Sequence, residues 1–341
     1  MSEQFRSLEV SLLRVEGQIH DVDGGHEVHI DDVRHPVKVI VAGVLFPRDA
    51  KSLVWNALEA KVSGQLPIIA AEVVSEGARE FLRSQKVGYS DMGGSLYLPL
   101  NNALIMIDRA PPKREKRVVK SVLSGKTSLA AHVLMSSDEP LNGVDIAAMT
   151  GLSMGGVSGA LDKLDRMGWL STDGSGPRKL RRISDRRALL DHWKQSRQGD
   201  GPVGKERFYV PGVSGGEALA RKISEAAAAE GIPYMVTGVY GSQIHAPYLS
   251  SIAQVVCRVL PQDMERIAEA LGARKVSEGW NLGLISSDIP MSPAFVGEVD
   301  GLSVASPLVC WIDTVSEPGR AKELADHLAS ERLIFSAPQG N

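Results

Sequence analysis

The 341-residue sequence predicts a multi-domain α/β protein in three parts. These are an α/β domain over 1–112, a central winged helix-turn-helix over 113–197, and a second α/β domain over 205–341. Three observations predict this. Short β-branched runs alternate with helical periodicity at both ends of the chain. The middle reads as helix, tight turn, helix and basic hairpin. Pro111 with Pro112, and the polar stretch RQGDGPVGKE at 197–206, separate the blocks.

Composition agrees with a globular chain, at 43% apolar and 23% charged residues. No apolar run approaches bilayer length, and the start MSEQFRSLEV lacks the apolar region of a signal peptide. No membrane partner is expected. The only cysteines, Cys257 and Cys310, lie in apolar strand-like runs. That usage predicts buried thiols in a reducing cytoplasm, and whether the two are neighbours in one sheet stays open.

In the first block, residues 11–22 alternate as a strand. Asp23-Gly24-Gly25 is a hairpin turn and 26–33 returns. The β-branched run 37–44 predicts a buried strand. Pro47 and Asp49 open a helix over 50–62 with Leu53, Val54, Ala57 and Leu58 inward. A second buried strand at 67–71, a helix at 76–85, a DMGGS turn between Tyr89 and the strand 96–98, and a last strand at 104–107 complete it. This order is compatible with a small nuclease-like α/β core. Nuclease chemistry needs clustered carboxylates with a lysine to hold a metal and polarise a phosphate. The acids here are Asp49, Glu72 and Asp91, and Val74 stands where a Glu-x-Lys pair needs lysine. The domain therefore reads as degenerate. The cluster His20, Asp21, Asp23, His26, His29, Asp31 and Asp32 matches no zinc-ligand spacing and reads as a polar hairpin tip.

In the middle block, Val118, Val119, Val122, Leu129, Val133 and Leu134 mark the buried side of a first helix. Asn142 precedes a short helix over 144–149, Gly151 breaks it, and Ser153 caps the next, over 154–167. Val157, Leu161 and Leu164 face inward from that helix, and Gly168 ends it. A hairpin turning at 174–177 follows, then a helix over 185–195. Within 113–187 there are 14 Lys or Arg against 8 Asp or Glu, a surplus of six; the whole chain is −3, which leaves −9 for the rest. Local positive charge on an acidic protein suits phosphate neutralisation. Double-stranded DNA is the expected partner. Helix residues Ser153, Met154, Gly155, Gly156, Ser158 and Lys163, with wing residues Arg178, Lys179, Arg181 and Arg182, are its expected contacts. The first turns hold no Arg, Asn or Gln for bidentate base reading. Specificity is thus expected from the wing and from DNA shape. Two copies pairing on a palindromic site is one option, with no coiled-coil seam to carry it.

In the last block, a strand at 208–210 leads to a helix over 216–230. A strand at 234–239, a helix at 248–252, a strand at 253–260 and an amphipathic helix over 261–271 follow. Strands at 281–285, 302–305 and 309–312 precede a closing helix over 319–329. The stretch VASPLVCWIDTVSEPGRAKELADHLASERLIF at 304–335 resembles the end of the AbiEi-type antitoxin and transcriptional-regulator family, with its strand, Asp, Gly-Arg turn and Ala-rich helix. VGYSDMGGSLYL at 87–98 is similar to a segment these proteins carry before the winged helix. The resemblance covers most of the chain. It implies a winged-helix DNA-binding regulator with a nucleotidyltransferase-like C-terminal domain, and for some relatives an autorepressing antitoxin with a toxin partner. Here the winged helix follows a full α/β domain.

An active nucleotidyltransferase needs a Gly-Ser turn and paired acids for two metals. Thr237-Gly238-Val239-Tyr240-Gly241-Ser242 could mimic the turn, but 254–260 carries no acid and Asp313 stands alone as a capping or structural carboxylate. The Gly-rich loop 211–217 lacks the lysine of a phosphate-binding loop. The expectation is therefore no enzyme, no metal and no cofactor. A nuclease or nucleotidyltransferase, and an antitoxin that holds a toxin, are the alternatives.

Overall fold

The computed structural model describes residues 2–334 except 23–24, 31–32, 102, 110–124, 177–178, 199–204 and 288, and the side chains of 196–198. Pro111, Pro112, Val118, Val119, Val122, Asp23, Gly24, Asp31, Asp32, Arg178 and most of the 197–206 linker lie outside the described residues. The chain divides into two compact units, Met1–Val122 with Asp162–Leu170, and Leu123–Leu161 with Ser171–Asn341.

The first unit opens with helix α1, Glu3–Leu13, capped by Ser2. The predicted strand over 11–22 is therefore wrong in its first half. Phe5, Leu8 and Leu12 are buried at helical spacing, and this burial outweighs the weak alternation that follows. The strand β1 begins only at Gln18, after Glu16 turns the chain with φ 56°. Then come β2 (Gly25–Ile30), β3 (Val33–Leu45), α2 (Pro47–Val62), β4 (Leu66–Val74), α3 (Glu76–Ser84), β5 (Gly88–Asp91), β6 (Leu96–Pro99) and β7 (Leu104–Ile107). They form one seven-stranded sheet in sequence order. β1, β2 and β3 pair antiparallel, β3, β4 and β5 pair parallel, and β6 and β7 close antiparallel. Parallel neighbours need a crossover, and α2 and α3 supply the two here.

β4 is buried on both faces over 67–71, as PIIAA predicts. One core packs Leu45, Val54, Ile69 and Tyr89; the other packs Leu8, Leu12, Val28, Ile68 and Leu98. β3 departs from the expected buried strand, because only Val37 and Leu45 are fully buried, Val39, Ile40 and Ala42 are half-buried, and Val41 and Val44 face solvent. In α2 the inward residues are Ala50, Val54, Ala57 and Ala60; Leu53 is half-buried and Leu58 turns outward.

The second unit takes in α4 (Gly125–Ser136), α5 (Gly143–Thr150), the first part of α6 (Met154–Arg166), whose residues from Asp162 on are grouped with the first unit, the hairpin β8 (Leu170–Asp173, from Ser171 on) and β9 (Leu180–Ile183), and α7 (Arg186–Gln198). A second seven-stranded sheet follows. Its strands are β10 (Glu206–Tyr209), β11 (Tyr234–Thr237), β12 (Val255–Val259), β13 (Arg274–Lys275), β14 (Leu282–Ser286), β15 (Val296–Val299) and β16 (Leu302–Ala305), in the order β13-β10-β14-β12-β11-β16-β15. α8 (Gly216–Glu230), α9 (Gly238–His245), α10 (Met264–Ala270), α11 (Pro307–Thr314) and α12 (Arg320–Leu328) complete the unit.

Three expectations fail here. The strand from Tyr234 stops at Thr237, because Gly238 takes φ 63° and starts α9. The predicted helix at 248–252 is irregular chain: the Gln243 side chain accepts the backbone N–H groups of Tyr248 and Leu249 at 2.9 and 2.8 Å, holding them in a turn. The predicted strand at 309–312 lies within helix α11, where Ser306 caps and Pro307 occupies the first turn, a start signal that outranks the local β propensity. Cys310 thus lies on a helix and Cys257 on β12, both free and buried.

Helices α4, α5 and α7 pack with the second sheet. His132 on α4 is buried, its Nε2 is 3.1 Å from both the Ala294 carbonyl and Ser306 Oγ, and its ring stacks on Phe295 at 4.4 Å. Ser292 Oγ donates to the Met149 carbonyl at 3.2 Å, and Lys194 pairs with Asp326 at 2.9 Å. No single described helix is long and apolar enough to cross a membrane.

Candidate nucleic-acid interface

The helix pair forms for local reasons. Asn142 Oδ1 accepts the N–H groups of Val144 and Asp145 at 2.8 and 3.0 Å, and Asp145 reaches back to the Asn142 N–H. Gly151 ends α5 with φ 70°, a left-handed position that suits glycine. Ser153 Oγ then accepts Gly156 N–H at 3.2 Å and starts α6. The axes of α5 and α6 differ by 110°, within the helix-turn-helix range.

α6 buries Val157, Ala160, Leu161 and Leu164. Its opposite face presents Ser153, Met154, Gly155, Ser158, Gly159, Asp162, Lys163 and Arg166 to solvent, while Gly156 is half-buried. A Cβ added at Gly155 or at Gly159 would meet nothing within 4 Å. Neither glycine is therefore required by packing, although each costs an exposed helix about 1 kcal/mol relative to alanine. At Gly156 an added Cβ would lie 3.4 Å from Ser153 Oγ and 3.5 Å from Lys126 Cδ. Lys126, on the first turn of α4, thus lies beside the start of α6, a cation that the sequence reading missed. Its 30-residue separation from Gly156 hid it, since only the folded helix pair brings the two together.

β8 and β9 form a two-stranded sheet, and Leu141 joins its side by donating to and accepting from Arg181 at 2.8 Å. The cations of the hairpin are not equivalent. Arg182 is exposed. Lys179 is half-buried, and the half-buried Arg181 folds back so that Nη1 donates to the Lys179 carbonyl at 3.2 Å. Arg178 lies outside the described residues. Among the described residues, Lys126, Lys163, Arg166, Lys179, Arg181 and Arg182 form no ion pair with a carboxylate. Arg186 plays another part: its guanidinium donates to the Met135 and Ser137 carbonyls at 2.9 and 2.6 Å, closing the end of α4.

The carboxylates weighed for catalysis have structural partners. Asp49 accepts the Phe46 N–H at 3.2 Å, completing the start of α2. Asp91 is buried, with Arg79 Nη2 at 2.6 Å on one oxygen and the Ser95 N–H at 3.0 Å on the other. Glu72 lies within 3.4 Å of the Gln4 amide. Asp313 accepts from Arg258 Nη2 at 2.5 Å on one oxygen, and from Arg258 Nε and Thr237 Oγ1, both at 2.7 Å, on the other. Burial works against the Arg258 charge, but Asp313 more than offsets this and raises the Arg258 pKa. Asp313 lines a cavity of about 440 Å³, together with Lys205, Val239, Gln254 and Trp280. Ser242, weighed as part of a phosphate-binding turn, is buried and bonded to Thr314 Oγ1 at 2.8 Å. Among the described residues no three His, Cys, Asp or Glu side chains gather as metal ligands. At the first hairpin, His26 pairs with Asp21 at 2.7 Å, His29 lies 3.2 Å from Glu27, and His20 packs on His29.

Comparison of the chain with protein-family models, with curated proteins and with solved structures finds no match.

Proposed function

We propose that the chain is a cytoplasmic transcriptional regulator that binds double-stranded DNA sequence-specifically. The α6 helix enters the major groove and the β8–β9 hairpin follows the flanking backbone. The observation that carries this reading is the solvent face of α6. Two glycines there, Gly155 and Gly159, weaken the helix and serve no internal contact, and cations with no carboxylate partner stand on the same helix and hairpin. A backbone that must come close to a polyanion explains both features at once. Ser153, Met154, Gly155, Gly156 and Ser158 are assigned to the groove. Lys163, Lys179, Arg181 and Arg182 are assigned to phosphate, and Lys126 joins them.

The test is a fluorescence-anisotropy titration against the chain's own upstream DNA and an unrelated duplex of equal length. Replacing Lys126, Lys163 and Arg182 together by Glu is expected to weaken binding by about a hundredfold and to flatten its salt dependence. Unchanged affinity would sink the reading. An autorepressing antitoxin role with a toxin partner rests on the AbiEi-type resemblance, and co-purification of a neighbouring gene product tests it. The nuclease and nucleotidyltransferase alternatives are disfavoured because Asp91 and Asp313 are held by buried arginines.

A further inference from the structure

Among the described residues, strand β3 beyond Val37 has a neighbour on one side only. β2 accompanies it from Val33 to Val37, whereas β4 accompanies it from Val37 to Leu45. Strand backbone groups alternate between the two sides, so about half of the N–H and C=O groups over 38–44 point away from β4. Among the described residues, none of these has a backbone partner. The open stretch reads Lys38-Val39-Ile40-Val41-Ala42-Gly43-Val44. Val41 is 48% and Val44 43% exposed, and a Cβ at Gly43 would meet nothing within 4 Å.

Sheets that stay unpaired guard such edges with charge or brevity. The other edges here do so. β1 carries His20 and Asp21, β13 is only Arg274 and Lys275, β15 carries Glu298, and β7 is four residues long, followed by Asp108 and Arg109. The open part of β3 is longer, apolar, and carries a single charge at one end.

We infer that this edge is the contact between two copies of the chain, paired antiparallel about Val41 so that two first-unit sheets continue as one. The stretch is complementary to itself. With Val41 facing Val41, Lys38 falls opposite Val44, Val39 opposite Gly43 and Ile40 opposite Ala42. Like charges do not meet, and the unpaired backbone groups find partners in the same sequence running the other way. A second copy thus satisfies the ladder and the side chains together.

Sedimentation velocity of the full chain without DNA tests this. A dimer is expected at micromolar concentration. Val41→Lys, which sets two lysines face to face, is expected to raise the dimer dissociation constant by at least about tenfold. Leu104→Lys on the β7 edge is expected to leave it unchanged. Val44→Lys repeats the test on the second exposed side chain, and circular dichroism checks that each variant is folded. A wild-type chain that stays monomeric, or lysine variants that dimerise as the wild type does, would overturn the interface. A monomer that still binds DNA would overturn the interface alone and leave the regulator reading standing.

Discussion

In the proposed DNA-binding role, Gly155 and Gly159 set helix stability against the approach of the duplex. Alanine at either position meets no atom, so Gly155→Ala and Gly159→Ala are each expected to stabilise the fold by about 0.5–1 kcal/mol in chemical denaturation. The same variants are expected to lose DNA affinity, because the added methyl groups hold the backbone away from the groove. A variant that gains stability and keeps full affinity would show that the glycines have no role in contact. Ser153→Ala removes a cap and is expected to cost about 1 kcal/mol. Asp313→Ala leaves Arg258 buried without its partner and is expected to cost about 3–5 kcal/mol of stability. At this scale the sequence was legible where the chemistry is local. Asn142, Gly151 and Ser153 act within four residues of themselves. The Arg258–Asp313 pair spans 55 residues, and no local pattern announces it.

Among the elements, α4 is held to the second sheet by a neutral imidazole. Burial lowers the His132 pKa from 6.5 to about 4, while the bond to the Ala294 carbonyl works weakly the other way. Because the folded value lies below the unfolded one, this contribution to stability is full above pH 6.5 and fades as pH falls towards 4. Thermal unfolding measured across that window is expected to show a decline that His132→Gln flattens. The elements that sequence reading placed correctly have strong period, strong caps or a clear turn: α5, α6, α8 and the strands β8 and β9. Those it misread were contests between signals. In α1, the helical spacing of Phe5, Leu8 and Leu12 competed with alternation further on. In α11, a β-branched and aromatic run sat behind a Ser-Pro helix start.

The whole molecule carries −3, while the stretch 113–187 carries a surplus of six positive charges. Binding to duplex is therefore expected to be steep in salt, with each lost phosphate contact reducing the logarithmic slope by about 0.9. Arg182→Ala should lower that slope by about one contact, and Arg181→Ala by less, because Arg181 already bonds to its own hairpin. The class of fold was legible as alternating strands and helices. The pairing order of the second sheet was not, since its neighbours β10, β14 and β12 are far apart in the chain and short strands carry no address.

The two hydrogen bonds between Leu141 and Arg181 have one more consequence. Leu141 immediately precedes the Asn142 cap, so the hairpin is stitched to the root of the helix pair. In the proposed complex with DNA, reading head and outrigger then travel as one gauge, and the distance between their footprints is written into the protein rather than adjusted on contact. An operator lengthened by a single base pair between those footprints should lose one grip or the other, even when every base of each is preserved.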